Sequence, residues 1–192
     1  MGTSVQKLKV QFKSANIGIG GLTTEQWIEG GVKTSEKKRR NTPLVSSPSL
    51  PASEAIAKCR QHLISTHVGE EDIEITLIIF IGHNDLNNHS GSDSNFPERL
   101  ASELSKFLVS LADQFPDLKI VYVHVPPFGN NRDMITEFNA CMTNNMEKTP
   151  VKVIKNELLK RIQILGPNEI HATDESYAEL FSRIQYQTHW LL

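Results

Sequence analysis

Ile75-Thr76-Leu77-Ile78-Ile79-Phe80-Ile81 is apolar except for one threonine, and it stops abruptly at Gly82-His83-Asn84-Asp85. A short continuous apolar run bounded by a turn signal reads as a strand buried on both faces, the central position of a parallel sheet. Glycine lets the backbone turn at the strand end, and Asn84 and Asp85 then enter a polar loop. In open parallel sheets ligands collect at the carboxyl ends of the strands. Residues 82–85 are therefore the first place to expect a site.

The flanking sequence repeats the strand–helix alternation. Val10-Gln11-Phe12-Lys13 alternates apolar and polar residues and, with Ala15-Asn16-Ile17, reads as a short strand followed by a Gly-rich turn at Gly18, Gly20 and Gly21. Thr23 and Thr24 supply a helix cap, Glu25 sits in the first turn, and Gly30-Gly31 ends the helix. Ser53 caps the next helix, with Ile56, Cys59, Leu63 and Ile64 as its stripe. Residues 87–95 read as a polar loop. Phe96-Pro97 opens a long amphipathic helix with Leu100, Leu104, Phe107, Leu108 and Leu111 on one face. A strand over 119–125 stops at Pro126-Pro127. A helix over 134–146, a strand over 151–154, a short helix over 157–165 and a last helix over 173–190 complete the reading. This alternation predicts a three-layer α/β/α sandwich with a mainly parallel central sheet, flavodoxin-like in pattern.

With 192 residues the chain is one domain, 1–192, and 39% hydrophobic content leaves room for unpacked segments. Residues 32–50, rich in Lys, Arg, Ser, Pro and Thr, read as a flexible insertion. A net charge of −2 gives no global attraction to nucleic acid or anionic membrane. The basic run Glu36-Lys37-Lys38-Arg39-Arg40 has no interleaved aromatic residue and reads as a solvated loop, so a nucleic-acid partner is not expected. Cys59 and Cys141, far apart, read as buried thiols of a reducing compartment. No charged segment followed by an apolar one opens the chain, and no apolar stretch reaches about eighteen residues. The expectation is a soluble intracellular, cytoplasmic protein without a membrane partner. His62, His67, His89 and His124 form no metal-ligand spacing, and the G-x-G-G turn lacks the rest of a dinucleotide fingerprint; no metal or cofactor is expected.

Ester hydrolysis by a serine needs a nucleophile, a base, a group that orients the base, and donors for the oxyanion. His171, ahead of a helix that Thr173 can cap, is the candidate base, and Asn168 stands where an orienting residue would. A backbone N–H in the turn at Gly20 and Gly21 and the side-chain amide of Asn84 are the donor types an oxyanion requires. Asp85 is expected to hold the loop by accepting backbone N–H bonds, and His83 to line the pocket.

In chain order, Gly2-Thr3-Ser4, Gly20-Gly21-Leu22-Thr23, Gly82-His83-Asn84-Asp85 and Asn168-Glu169-Ile170-His171 resemble the motif blocks of the SGNH (GDSL-type) hydrolases. The resemblance implies Ser4 as nucleophile and first oxyanion donor, Gly21 and Asn84 as the other donors, and His171 as base. Two departures stand out. The family's last block is Asp-x-x-His, and Asn168 occupies the Asp position; an amide can hold an imidazole but cannot stabilise the imidazolium. In a serine protease the same exchange costs about 10⁴-fold in rate. The second concerns the strand that carries the first block in the family, which is expected to be missing here through truncation or divergence. The short spacing from Ser4 to the Gly turn also resembles esterase-like domains of retroelement-derived proteins. The resulting expectation is a weak serine esterase acting on a small carboxylic ester through an acyl-enzyme. Its alternative is a catalytically degenerate SGNH-fold domain that serves as a binding or assembly module. The acyl group, the alcohol and the oligomeric state are not readable from these residues.

Overall fold

The computed structural model describes residues 22–30, 50–66, 74–126 and 131–155, the backbone of 164–165 and 171–172, and Ser182. The elements are α1 (Thr24–Glu29), α2 (Ala52–Ser65), β1 (Ile75–Ile79), α3 (His83–Asn88), α4 (Phe96–Gln114), β2 (Leu118–Val123), α5 (Arg132–Met146), β3 (Lys152–Ile154), β4 (Ile164–Leu165) and β5 (His171–Ala172). β1, β2 and β3 form a parallel sheet in that order, with Ile75 opposite Leu118 and Val121 opposite Lys152. β4 and β5 make a separate antiparallel pair. The result is a mixed α/β fold, a parallel sheet flanked by helices, consistent with an α/β/α sandwich.

The core forms where the helical stripe of α4 meets the sheet. Leu100, Leu104, Leu108 and Leu111 recur at helical spacing and are all buried. They join Ile56 of α2, Ile135, Phe138 and Met142 of α5, and Leu118, Ile120 and Tyr122 of β2 in one cluster. Val121 and Val123, which point to the opposite face of β2, are equally buried. The central strand is thus covered on both sides. Each fully buried Leu or Phe contributes about 1.5–3 kcal/mol relative to exposure.

Several expectations change. β1 ends at Ile79 and is not buried throughout, since Ile78 and Phe80 are 42% and 44% exposed. Among the described residues β1 pairs with β2 alone. The Gly82 turn opens a short helix, α3, rather than a loop. Helix α2 begins two residues earlier than a Ser53 cap implies; Pro51 holds the cap position and Ser53 lies in the first turn. Ile64, near its end, is 38% exposed and leaves the stripe. Residues 164–165 are strand instead of the end of a helix, and His171 lies in β5, not in a loop before a helix.

The expected strand at 10–17, the insertion at 32–49 and most of the last helix lie outside the described residues. Cys59 and Cys141 are free thiols, and burial raises the pKa of both. No described helix is long and apolar enough to cross a membrane.

Candidate functional site

The strand end is built around a glycine that no other residue could replace without cost. Gly82 has φ of 109°, a left-handed backbone conformation that side chains resist. A Cβ placed there would meet the Phe138 ring at 3.0 Å and Val125 Cγ2 at 3.5 Å. Phe138, on α5, is fully buried and forms the floor beneath the turn. One residue earlier, the Tyr122 hydroxyl of β2 donates to the Ile81 carbonyl at 3.2 Å. Burial raises the pKa of that phenol, with the charge of Asp85 adding to the effect, so it stays a neutral donor.

From this turn α3 projects His83, Asn84 and Asp85, all partly buried. Asp85 accepts the backbone N–H of Thr24 on both oxygens, at 3.0 and 2.9 Å, and the Thr24 hydroxyl at 3.0 Å. Asn84 Nδ2 donates to the Leu22 carbonyl at 2.9 Å. Residues 22–24 are therefore latched to the first turn of α3. Thr24 itself is 1% exposed. Burial raises the Asp85 pKa, and the two kinds of hydrogen bond from Thr24 offset part of that rise.

Helix α1 enters this latch in a fixed orientation. Thr23 caps it, accepting from Gln26 N–H while the Gln26 side chain accepts from Thr23 N–H, a complete capping box. Trp27 then packs edge-to-face on Phe107 of α4, with ring centroids 5.4 Å apart.

A second strand end lies next to the first. Asn139 of α5, 3% exposed, accepts from Val125 N–H at 3.0 Å and donates to the Val125 carbonyl at 2.8 Å. Its amide takes the place of a neighbouring strand where β2 has run past β3. His124, also buried, pairs through Nε2 with the Thr143 hydroxyl at 3.0 Å. Burial, with a smaller contribution from Lys155, lowers its pKa to about 4. At the start of α5, Asn131 Nδ2 donates to the Leu86 carbonyl at 2.6 Å and ties that helix to α3.

The described residues thus bring together Asn84, Asp85 and His83 with the segment immediately after the Gly turn. Ser4, Gly20, Gly21 and Asn168 lie outside the described residues, and of His171 only the backbone, in β5, is described. Tyr122, Asn131 and Asn139 escaped the sequence reading as site residues, and Thr24 entered it only as a helix cap. Each makes its decisive hydrogen bond to a residue at least 14 positions away. Among the described residues no group of three His, Cys, Asp or Glu side chains could hold a metal ion.

No protein-family model matches the sequence, and no curated protein sequence matches it significantly. Among solved structures the chain is similar to a carbohydrate acetylesterase from Sinorhizobium meliloti, with a TM-score of 0.52 and 18% sequence identity. The alignment covers 77% of this chain and 72% of that one. At that identity the likeness shows a shared α/β fold.

Proposed function

We propose that the chain is an SGNH-type serine hydrolase of small carboxylic esters. The observation that carries this reading is the latch itself. It joins the residues just after Gly20 and Gly21 to Asn84 and Asp85 at the carboxyl end of β1. Those are the two blocks from which an oxyanion site of this type would be assembled. The fold shared with an acetylesterase supports the same reading.

In the proposed reaction Ser4 Oγ attacks the ester carbonyl carbon while His171 takes the hydroxyl proton. The carbonyl oxygen becomes an oxyanion, stabilised by the N–H groups of Ser4 and Gly21 and by the Asn84 amide. Collapse of the tetrahedral intermediate breaks the bond to the alcohol oxygen, which leaves with the proton from His171. Water, deprotonated by His171, then attacks the acyl-serine and releases the carboxylic acid and Ser4. Asn168 orients the imidazole without adding charge, so turnover is slow. Gly20 shapes the turn, Asp85 holds it, and His83 borders the ester. The substrate is a small ester, and no cofactor takes part.

A second reading has its own support. In the degenerate alternative the site residues serve only to hold the fold, as a binding or assembly module. The Asn84 bond to Leu22 and the Asn168 departure both favour it.

Labelling of folded protein with a fluorophosphonate probe separates the two. The hydrolase reading expects labelling that disappears in Ser4→Ala and falls sharply in His171→Ala. A folded, circular-dichroism-verified sample that stays unlabelled would establish the binding module instead.

A further inference from the structure

We infer that Thr24 is a positioning residue, whose hydroxyl fixes the Asn84 amide so that one N–H is consumed by the fold and the other is presented to a ligand oxygen. The inference deepens the hydrolase reading, on which its kinetic test rests, but its spectroscopic test stands independently.

An Asn side-chain amide carries two N–H donors. In this site one of them is committed to the Leu22 carbonyl at 2.9 Å. That commitment sets the plane of the amide and leaves its second N–H as the group able to meet a developing oxyanion. Whether the amide stays in that plane depends on where Leu22 is held. Leu22 lies two residues before Thr24, and Thr24 is anchored to the residue after Asn84. Three hydrogen bonds make that anchor, two from the backbone N–H and one from the hydroxyl. The two bridges are in parallel: 22 to 84 and 24 to 85. They close a small ring in which the position of each donor determines the other.

Helix α1 has six residues, far short of the length at which a helix is stable by itself in water. Beyond the latch it meets α4 through the Trp27–Phe107 contact and also packs against α2. The Thr24 hydroxyl adds a second donor to the backbone N–H that already meets the same carboxylate. It is buried, charge-assisted, and aimed at the carboxylate that neighbours the donor. Thr23, not Thr24, caps α1, and the Thr24 hydroxyl bonds to Asp85 instead.

A misplacement of about 1 Å in a reacting constellation costs on the order of 100-fold in rate. Thr24→Val removes the hydroxyl at nearly constant shape, and Thr24→Ser retains it. With p-nitrophenyl acetate as probe, Thr24→Val is expected to lower kcat by about 10- to 100-fold with KM changed by less than about threefold, the signature of an interaction made in the transition state. Thr24→Ser is expected to restore kcat to within about threefold of the parent protein. Equal kcat in Thr24→Val and the parent protein would overturn the inference.

The second arm needs no activity. In ¹⁵N spectra the side-chain amide pair of Asn84, identified by its loss in Asn84→Asp, should exchange asymmetrically in the unmutated protein. One proton should be protected by Leu22 and the other open to solvent. Thr24→Val should equalise the two, and Thr24→Ser should not. Two equally exchanging protons in the unmutated protein would overturn the inference even if Thr24→Val failed to fold. A protein with the asymmetric pair but no esterase turnover would refute the hydrolase reading and keep the positioning role of Thr24.

Discussion

Gly82→Ala tests whether the strand end is as tightly constrained as its geometry states. Two costs add. At φ of 109° an L side chain is strained by roughly 1–2 kcal/mol. The new methyl also lies 3.0 Å from two carbons of the Phe138 ring, which is fully buried and cannot swing away. Overpacking of that kind costs about 1–3 kcal/mol. The sum, about 3 kcal/mol, is a large part of the 5–15 kcal/mol that holds a typical domain together. With a urea m-value of about 2 kcal/mol per molar, the midpoint should fall by about 1.5 M. The two costs separate in a double-mutant cycle with Phe138→Leu. Shrinking the ring should remove the steric part and leave the backbone part, giving a coupling of about 1–2 kcal/mol. A loss under about 1 kcal/mol for Gly82→Ala would refute the strained conformation of Gly82, and additive losses in the cycle would refute its contact with Phe138.

Other perturbations probe the neighbouring elements. Asn139→Ala leaves the N–H and carbonyl of Val125 without their partner and should cost about 2–4 kcal/mol in urea denaturation. Because His124 has a folded-state pKa of about 4, below its ordinary value, the unfolded chain binds its proton first as pH falls. Its contribution is fully present above about pH 6.5 and drains away down to about pH 4, by up to about 3 kcal/mol. Thermal melts at pH 7 and 4.5 should show this loss, and His124→Gln should flatten it. Asp85 works in the opposite direction: its raised pKa makes the folded state the better proton acceptor as pH falls, so the comparison is cleanest in an Asp85→Asn background.

What the sequence made legible depended on how local each signal is. The apolar run before Gly82 and the stripe Leu100, Leu104, Leu108 and Leu111 are written in consecutive residues, and both elements stand where that pattern puts them. The burial of β1 was not legible, because nearly every position in the run is equally apolar. Composition alone cannot tell that Ile79 is buried while Ile78 is exposed. The short helix at 83–88 was hidden by its asparagines, which favour loops until Asn131 and Thr24 fix the surrounding chain. Residues 164–165 show the familiar ambiguity of short apolar pairs, resolved only by pairing with 171–172. In the candidate site the motif residues Asn84 and Asp85 could be picked out, whereas their partners could not. A hydrogen bond from Tyr122 to Ile81 or from Asn139 to Val125 has no sequence signature, since it links elements whose proximity is a product of folding.

The latch also bears on the order in which the molecule assembles. β1, α4, β2, α5 and β3 occur in that order along the chain; β1 and β3 pair with β2, and α4 packs on α5 and β2, all across separations shorter than the one the latch spans. Thr24 and Asp85 meet across 61 positions. Closing a flexible loop of that length costs about 3–4 kcal/mol in chain entropy, and a handful of hydrogen bonds must offset it. The site should therefore form after the sheet and open before it. In native-state hydrogen exchange the Thr24 amide should be released in a partial opening, while the amides of β2 await unfolding of the whole domain.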